Sequence, residues 1–509
     1  MHSKIPFYLQ SNIFHNVTIF CSLLAAILVW IGTSKYGIGL STDSVNYIAA
    51  SKSLLSGQGY LKYTSEPLLV WPPLFPTLIA IFPLLGVEVL LGIRILHALV
   101  FATIIYFSGI FFMRTLKTSF MRLAGLMLIL WGVPLVRLLV MAGSDIIYVG
   151  FSMIVLYLFS QFLVTPCWKK LFAVAVVTAF ACLQRYVGVT LVLTGMLLIR
   201  TFDNQLRTSM RWKYMAVFAC ISLTPLVLWC FRNFLLSGTL TGFSPTERSG
   251  GYYGLSLLDV LSQWFFWGRG AWLFGVKANR WVISMLIIFF GLVFLSKKSK
   301  TTLEKTCGMY VLVYMVFIVF SGAIVWFNAT LDRYLSSIYV FMTILILIVL
   351  EDVMAKMVSK IRWNLIRKSF FIFLSFYFFI CIPVKGAREI SRLVTHGAGV
   401  FSTDAWRQSE IVRWVRGHSL GGTVYSNAPD ALYILLDIPA QMSPRYRESV
   451  EEWNQRLSLP GDHYLVWFEK LHFRHVLYKF RELNILFKLD GVATFNEGGI
   501  YRISRKKGK

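Results

Sequence analysis

Charge is scarce in this chain. Only 15% of its 509 residues are Asp, Glu, Lys or Arg, where a soluble domain carries about 25%. With 57% apolar residues and a mean hydropathy of +0.65, there is too little charge to cover a body in water. A soluble globular protein is therefore excluded. Acids are scarcer still, 24 against 50 Lys and Arg, for a net charge of +26. On a soluble domain that excess would point to nucleic acid. Here the basic residues gather in short loops between apolar runs, as they do in the cytoplasmic loops of membrane proteins, and no nucleic-acid partner is expected. Paired cysteines are lacking too. Cys21, Cys167, Cys182, Cys220, Cys230, Cys307 and Cys381 lie in or beside apolar runs, and none forms a CxxC. That leaves neither a disulfide framework nor a zinc site. No internal repeat is present, and no low-complexity segment beyond the basic end "RKKGK".

What is abundant is apolar run length. About 11 stretches read as spans, near 14–34, 88–113, 123–136, 146–165, 170–184, 186–200, 214–236, 281–296, 308–327, 334–350 and 369–384; a helical span needs roughly 20 apolar residues. The loops "MRTLKTSFMR", "PCWKK", "RTFDNQLRTSMRWK", "KKSKTTLEK" and "EDVMAKMVSKIRWNLIRK" all fall between an even-numbered span and the next odd one. The positive-inside rule puts these loops and the N-terminus in the cytoplasm. Residues 35–87, the 237–280 loop and the tail are then outside. Residues 169–200 read as two short helices turning at Arg185, because one tilted helix would bury that arginine in lipid at a cost of roughly 3 kcal/mol. The first run lacks a small-x-small cleavage site, so an uncleaved anchor is expected.

Two outer segments are unusual. "VWPPLFPTLIAIFPLLG" (70–86) is broken by prolines and reads as a helix in the interface or dipping into the membrane. "DVLSQWFFWGRGAWLFG" (259–275), rich in tryptophan and carrying Arg269, reads the same way; a lid without chemistry is the alternative for both. The tail from about 388 has helix-like "TDAWRQSEIVRWVRGH" and "ESVEEWNQRL" and strand-like "GTVYSN", "HYLVWFEK" and "GIYRIS". The expected architecture is an α-helical polytopic membrane module over 1–387, with a first outer loop at 35–87, and a small C-terminal α/β extracytoplasmic domain over 388–509.

Ionisable residues beside spans are costly and mark function by default. Asp43 follows the first span, Asp145 opens the fourth, Arg185 sits between the fifth and sixth, and Asp332 and Arg333 lie between the ninth and tenth. In this frame all are at outer helix ends. Arginine forks grip phosphate oxygens and stay charged, and a nearby carboxylate can act as a base or hold a divalent cation. Internal salt bridges from Arg185 and Arg333 to Asp145 or Asp332 are the structural alternative.

The order of these features resembles a known family. A span is followed by an acid and "ASKSLLSGQGY", then "WPPLFPTLIAIFPLLG", a span opened by "SD", "RYVG", "DRYL", and a tail with "VYSNAPDALYILLDIPAQMSP". This is similar to the GT-C superfamily of polytopic glycosyltransferases, in the bacterial branch near protein mannosyltransferases and lipid A aminoarabinose transferase. The resemblance implies a polyprenyl-phosphate-linked sugar donor, a glycan, lipid or protein acceptor on the outer face of the inner membrane, and inversion at the sugar. By the same resemblance Asp43 matches the first-loop catalytic base and Asp145 the second acid. Arg185, Arg333 and Arg269 are placed to hold the donor phosphate, and a divalent metal on Asp43 and Asp145 stays open. The mannosyltransferase pattern has Asp-Glu in the first loop. Here Ser44 follows Asp43, so a protein acceptor does not follow. A transporter or flippase of a lipid-linked sugar is the rival reading.

Overall fold

In the computed structural model the described residues are 7–201, 207–242, 260, 264, 301–324, 331–360, 364–469, 471 and 476–506. They fall into two compact units, Met1–Lys35 with Leu69–Thr395, and Tyr36–Leu68 with His396–Lys509.

The first unit is helical. Its elements are α1 (Phe7–Gly32), α3 (Leu74–Leu84), α4 (Val89–Thr115), α5 (Ser119–Leu130), α6 (Val133–Leu139), α7 (Asp145–Val164), α8 (Trp168–Gln184), α9 (Val189–Thr201), α10 (Thr208–Ser237), α11 (Thr302–Ile324), α12 (Leu331–Leu335), α13 (Tyr339–Lys360), α14 (Asn364–Phe376) and α15 (Ile382–His396). Helix α2 (Thr42–Leu55) belongs to the second unit. Among the described residues six helical stretches are long and apolar enough to cross a membrane, and the bent pair α5–α6 makes up to seven. The expected span at 281–296 lies outside the described residues. The others fall on helices over their described residues, with 123–136 on the bent pair α5–α6, 170–184 and 186–200 as two short helices, and the last three residues of 308–327 outside the described residues.

Sequence sets several of these ends. α5 and α6 bend by 41° across Trp131 and Gly132, and Pro134 in the first turn of α6 has no N–H to continue the ladder. α5 begins at Thr118, whose hydroxyl accepts from the backbone of Met121. The Glu351 carboxylate accepts from the backbone N–H groups of Lys117 and Thr118 and from the Thr118 hydroxyl. One acid of α13 thereby satisfies donors that the start of α5 leaves open. α1 packs on α4, and there Gly109 matters: a Cβ on it would lie 2.3 Å from Thr18, so only glycine permits this approach. The proline-rich segment at 70–86 forms the 11-residue α3, packed on α4 and α8. Just before it, the Leu69 carbonyl accepts from Tyr186 Oη and Asn233 Nδ2.

The second unit is α/β. Its five-stranded sheet has the order β4-β3-β5-β7-β6, with β3 (Gly422–Ser426), β4 (Gln441–Met442), β5 (Asp462–Phe468), β6 (Phe487–Phe495) and β7 (Gly498–Arg505). β3 runs parallel to β4 and β5, while β7 is antiparallel to β5 and β6. A hairpin of β1 (Gly397–Ala398) and β2 (Ser402–Thr403) precedes it. β5 is apolar and buried along most of its length, as a central strand covered on both faces should be. Tyr425, Trp453, Leu465, Leu483, Phe487 and Ile503 form its core. "TDAWRQSEIVRWVRGH", expected as one helix, is two: α16 (Asp404–Gln408) and α17 (Glu410–Gly417). Ser409 divides them because its hydroxyl caps α17, accepting from Val412 N. α18 (Pro429–Leu436), α19 (Val450–Arg456) and α20 (Phe480–Leu486) complete the unit.

Candidate active site

α7 starts at Asp145, which is buried, its side chain only 5% exposed. An isolated carboxylate there would cost several kcal/mol of desolvation. Two guanidinium groups meet it. Arg185 stands between α8 and α9 in extended backbone, where Gln184 ends one helix and a short 3-10 turn opens the next; its Nη1 donates to Asp145 Oδ1. Arg333, on α12, donates to Oδ2 through Nε at 2.9 Å and Nη2 at 2.8 Å. Gln184 also holds the turn, its Nε2 donating to the Ser144 carbonyl at 3.1 Å. The Arg185 guanidinium lies 5.8 Å from the centre of the Tyr334 ring, and Tyr314 Oη donates to the Tyr334 carbonyl. The Arg185 side chain is 14% exposed and that of Arg333 33%, so Arg333 is the more open of the two.

One carboxylate faces two permanent cations, and this trio carries a net positive charge. It can hold an anion. Its donor set does not suit a divalent cation, since both oxygens of Asp145 receive guanidinium protons. Among the described residues no group of three His, Cys, Asp or Glu side chains could hold a metal.

Of the two acids named for the arginines' structural alternative, both pairs go to Asp145. Asp332 instead accepts from Arg137 Nη1 at 2.9 Å and Trp264 Nε1 at 2.7 Å, and Arg137 Nε donates to Glu389 at 2.8 Å. Neither Arg137 nor Glu389 stands out as a site residue in the sequence. The available signal was a lone cation inside the apolar "WGVPLVRLLV". Arg269 lies outside the described residues. Asp43 is in the second unit, half-buried in the first turn of α2. It is not the cap of that helix: Ser41 is, accepting from Ser44 N while the Ser44 hydroxyl accepts from Ser41 N.

The structure is similar to that of ArnT from Cupriavidus metallidurans in the apo state, with a TM-score of 0.59 and 12% identity over 96% of this chain and 98% of that one. ArnT bound to undecaprenyl phosphate matches with a TM-score of 0.51 and 11% identity, over 94% and 97% of the two chains. The Archaeoglobus fulgidus oligosaccharyltransferase in complex with Zn and sulfate matches with a TM-score of 0.56 and 10% identity, over 96% of this chain and 73% of that one. The chain has the GT-C fold. No protein-family model and no curated relative matches the sequence. The GT-C fold is that of polytopic membrane proteins, in keeping with the apolar helices of the first unit.

Proposed function

We propose that this protein is a membrane glycosyltransferase that moves a sugar from a polyprenyl-phosphate donor to a hydroxyl acceptor at the extracytoplasmic face of the inner membrane. The observation that carries the reading is the convergence of Arg185 and Arg333 on one buried carboxylate. Asp145 can neutralise one guanidinium, so the trio keeps charge for a phosphate. A solved GT-C protein bound to undecaprenyl phosphate supports a lipid-linked donor.

Asp43 takes the acceptor proton as general base. The acceptor oxygen attacks the anomeric carbon from the face opposite the phosphate, the C–O bond to phosphate breaks, and configuration inverts. Polyprenyl phosphate leaves with the electron pair and needs no general acid. Arg185 and Arg333 stabilise the charge that grows on it, and Asp145 orients both arginines. The test is transfer of label from a polyprenyl-phosphate sugar to an envelope acceptor by the purified protein; label that stays on the donor contradicts the proposal.

The five basic loops support a cytoplasmic N-terminus and an extracytoplasmic tail. The tail contains no native cysteine, and Ser458 is exposed at the end of α19. A Ser458→Cys variant is expected to react with a membrane-impermeant maleimide in intact cells. Reaction only after lysis would reverse the orientation.

A further inference from the structure

We propose that the C-terminal sheet domain positions Asp43, acting through the hydrogen bond from Thr42 to the buried carboxylate of Asp430. The inference rests on the assignment of Asp43 as general base.

The residues before Asp43 are fixed to the tail by backbone. The Leu40 carbonyl accepts from Val400 N at 2.8 Å and Phe401 N at 3.0 Å, and Ser402 Oγ donates to the Ile38 carbonyl at 2.9 Å. Thr42 Oγ1 then donates to Asp430 Oδ2 at 2.9 Å. Asp430 is fully buried, and its other oxygen accepts from Ala431 N. Burying a carboxylate is costly unless its lone pairs are met, so the Thr42 hydroxyl does more than decorate the contact.

The acceptor side is rigid. After β3, Asn427 Nδ2 donates to the Phe468 carbonyl at 2.7 Å and its Oδ1 accepts from Phe468 N at 2.9 Å, which ties this turn to the end of β5. Ser426 Oγ accepts from Ala428 N at 2.9 Å. Pro429 then opens α18, where a missing N–H and fixed φ suit a first helical turn. The strand-to-helix turn in "YSNAPDALY" therefore presents Asp430 from the sheet. α2 lies beside α18 in the same direction: Thr42 meets Asp430 at the starts, and Lys52 meets Asp437 at the ends at 3.0 Å. That second pair is exposed and contributes little. The buried bond at the start, one residue from Asp43, sets the position of the first turn.

A general base misplaced by about 1 Å can lose on the order of 10²-fold in rate. Thr42→Val keeps the shape and removes the hydroxyl. It is expected to lower kcat by about 10-fold or more with the donor KM near wild type; because it removes a donor to a buried carboxylate, the melting temperature should fall by a few degrees, and Thr42→Ser should restore both. Asp430→Asn, whose amide can still pair with both the Thr42 hydroxyl and Ala431 N–H, should retain most of the rate. If Thr42→Val does not accumulate, Thr42→Ala gives the same readouts in a smaller side chain. All are assayed beside Asp43→Asn in the full-length protein. Wild-type kcat in the threonine variants with an inactive Asp43→Asn overturns the positioning role alone. An active Asp43→Asn overturns the base assignment and this inference together.

Discussion

Asp43→Asn is expected to lower sugar transfer by about 10²–10⁴-fold, the usual contribution of a general base, with donor binding retained. Asparagine keeps the size and shape but cannot accept the proton. The structure sharpens this expectation, because the helix that starts here is capped by Ser41 and Ser44. Asp43 is not needed for that cap. An acid in the first turn of a helix contributes about 0.3–1 kcal/mol through the helix dipole, too little to unfold the domain. Loss of transfer with an unchanged melting temperature therefore reports on chemistry. Transfer within a few-fold of wild type would remove Asp43 from the reaction.

Arg333→Ala is expected to raise the donor KM by about 10–150-fold, the equivalent of one lost charge-assisted hydrogen bond of about 1.5–3 kcal/mol. Arg333 is chosen over Arg185 because it is the more open, and because Arg185 still pairs with Asp145 when Arg333 is removed. The buried carboxylate is thus not left alone, and the protein should insert and fold. Arg333→Lys keeps the charge without the fork and should fall between. If the arginines serve only to neutralise Asp145, the outcome differs: the melting temperature falls and the donor KM stays at the wild-type value.

How much of this was readable from the sequence depends on the length scale of the signal. Apolar run length gave the membrane helices, and the cost of an arginine in lipid gave the turn at Arg185. The same cost brought Asp43, Asp145, Arg185, Asp332 and Arg333 forward as a group; of these Asp145, Arg185 and Arg333 meet, while Asp332 pairs with Arg137. β3, β5 and β7 carry enough apolar and β-branched content between breaks to be seen. β6 was not, because its alternation runs only over Phe487, Lys488, Leu489 and Asp490 before Gly491, on an edge strand with little burial. The break at Ser409 is a one-residue capping choice inside an amphipathic pattern that reads as continuous. The link from Thr42 to Asp430 spans 388 positions, and Arg137 finds Asp332 across 195. No local pattern announces such pairs; only the packed chain brings them together.

On the proposed function, the protein transfers a sugar rather than moving a lipid-linked sugar across the bilayer. The most direct measurement follows a radiolabelled polyprenyl-phosphate sugar in proteoliposomes holding wild-type protein or Asp43→Asn, with envelope acceptor supplied outside. Label should pass to the acceptor with wild type and remain on polyprenyl phosphate with Asp43→Asn. Label that crosses the bilayer still attached to its lipid, at equal rates in both and with none on the acceptor, would contradict the account and identify a transporter.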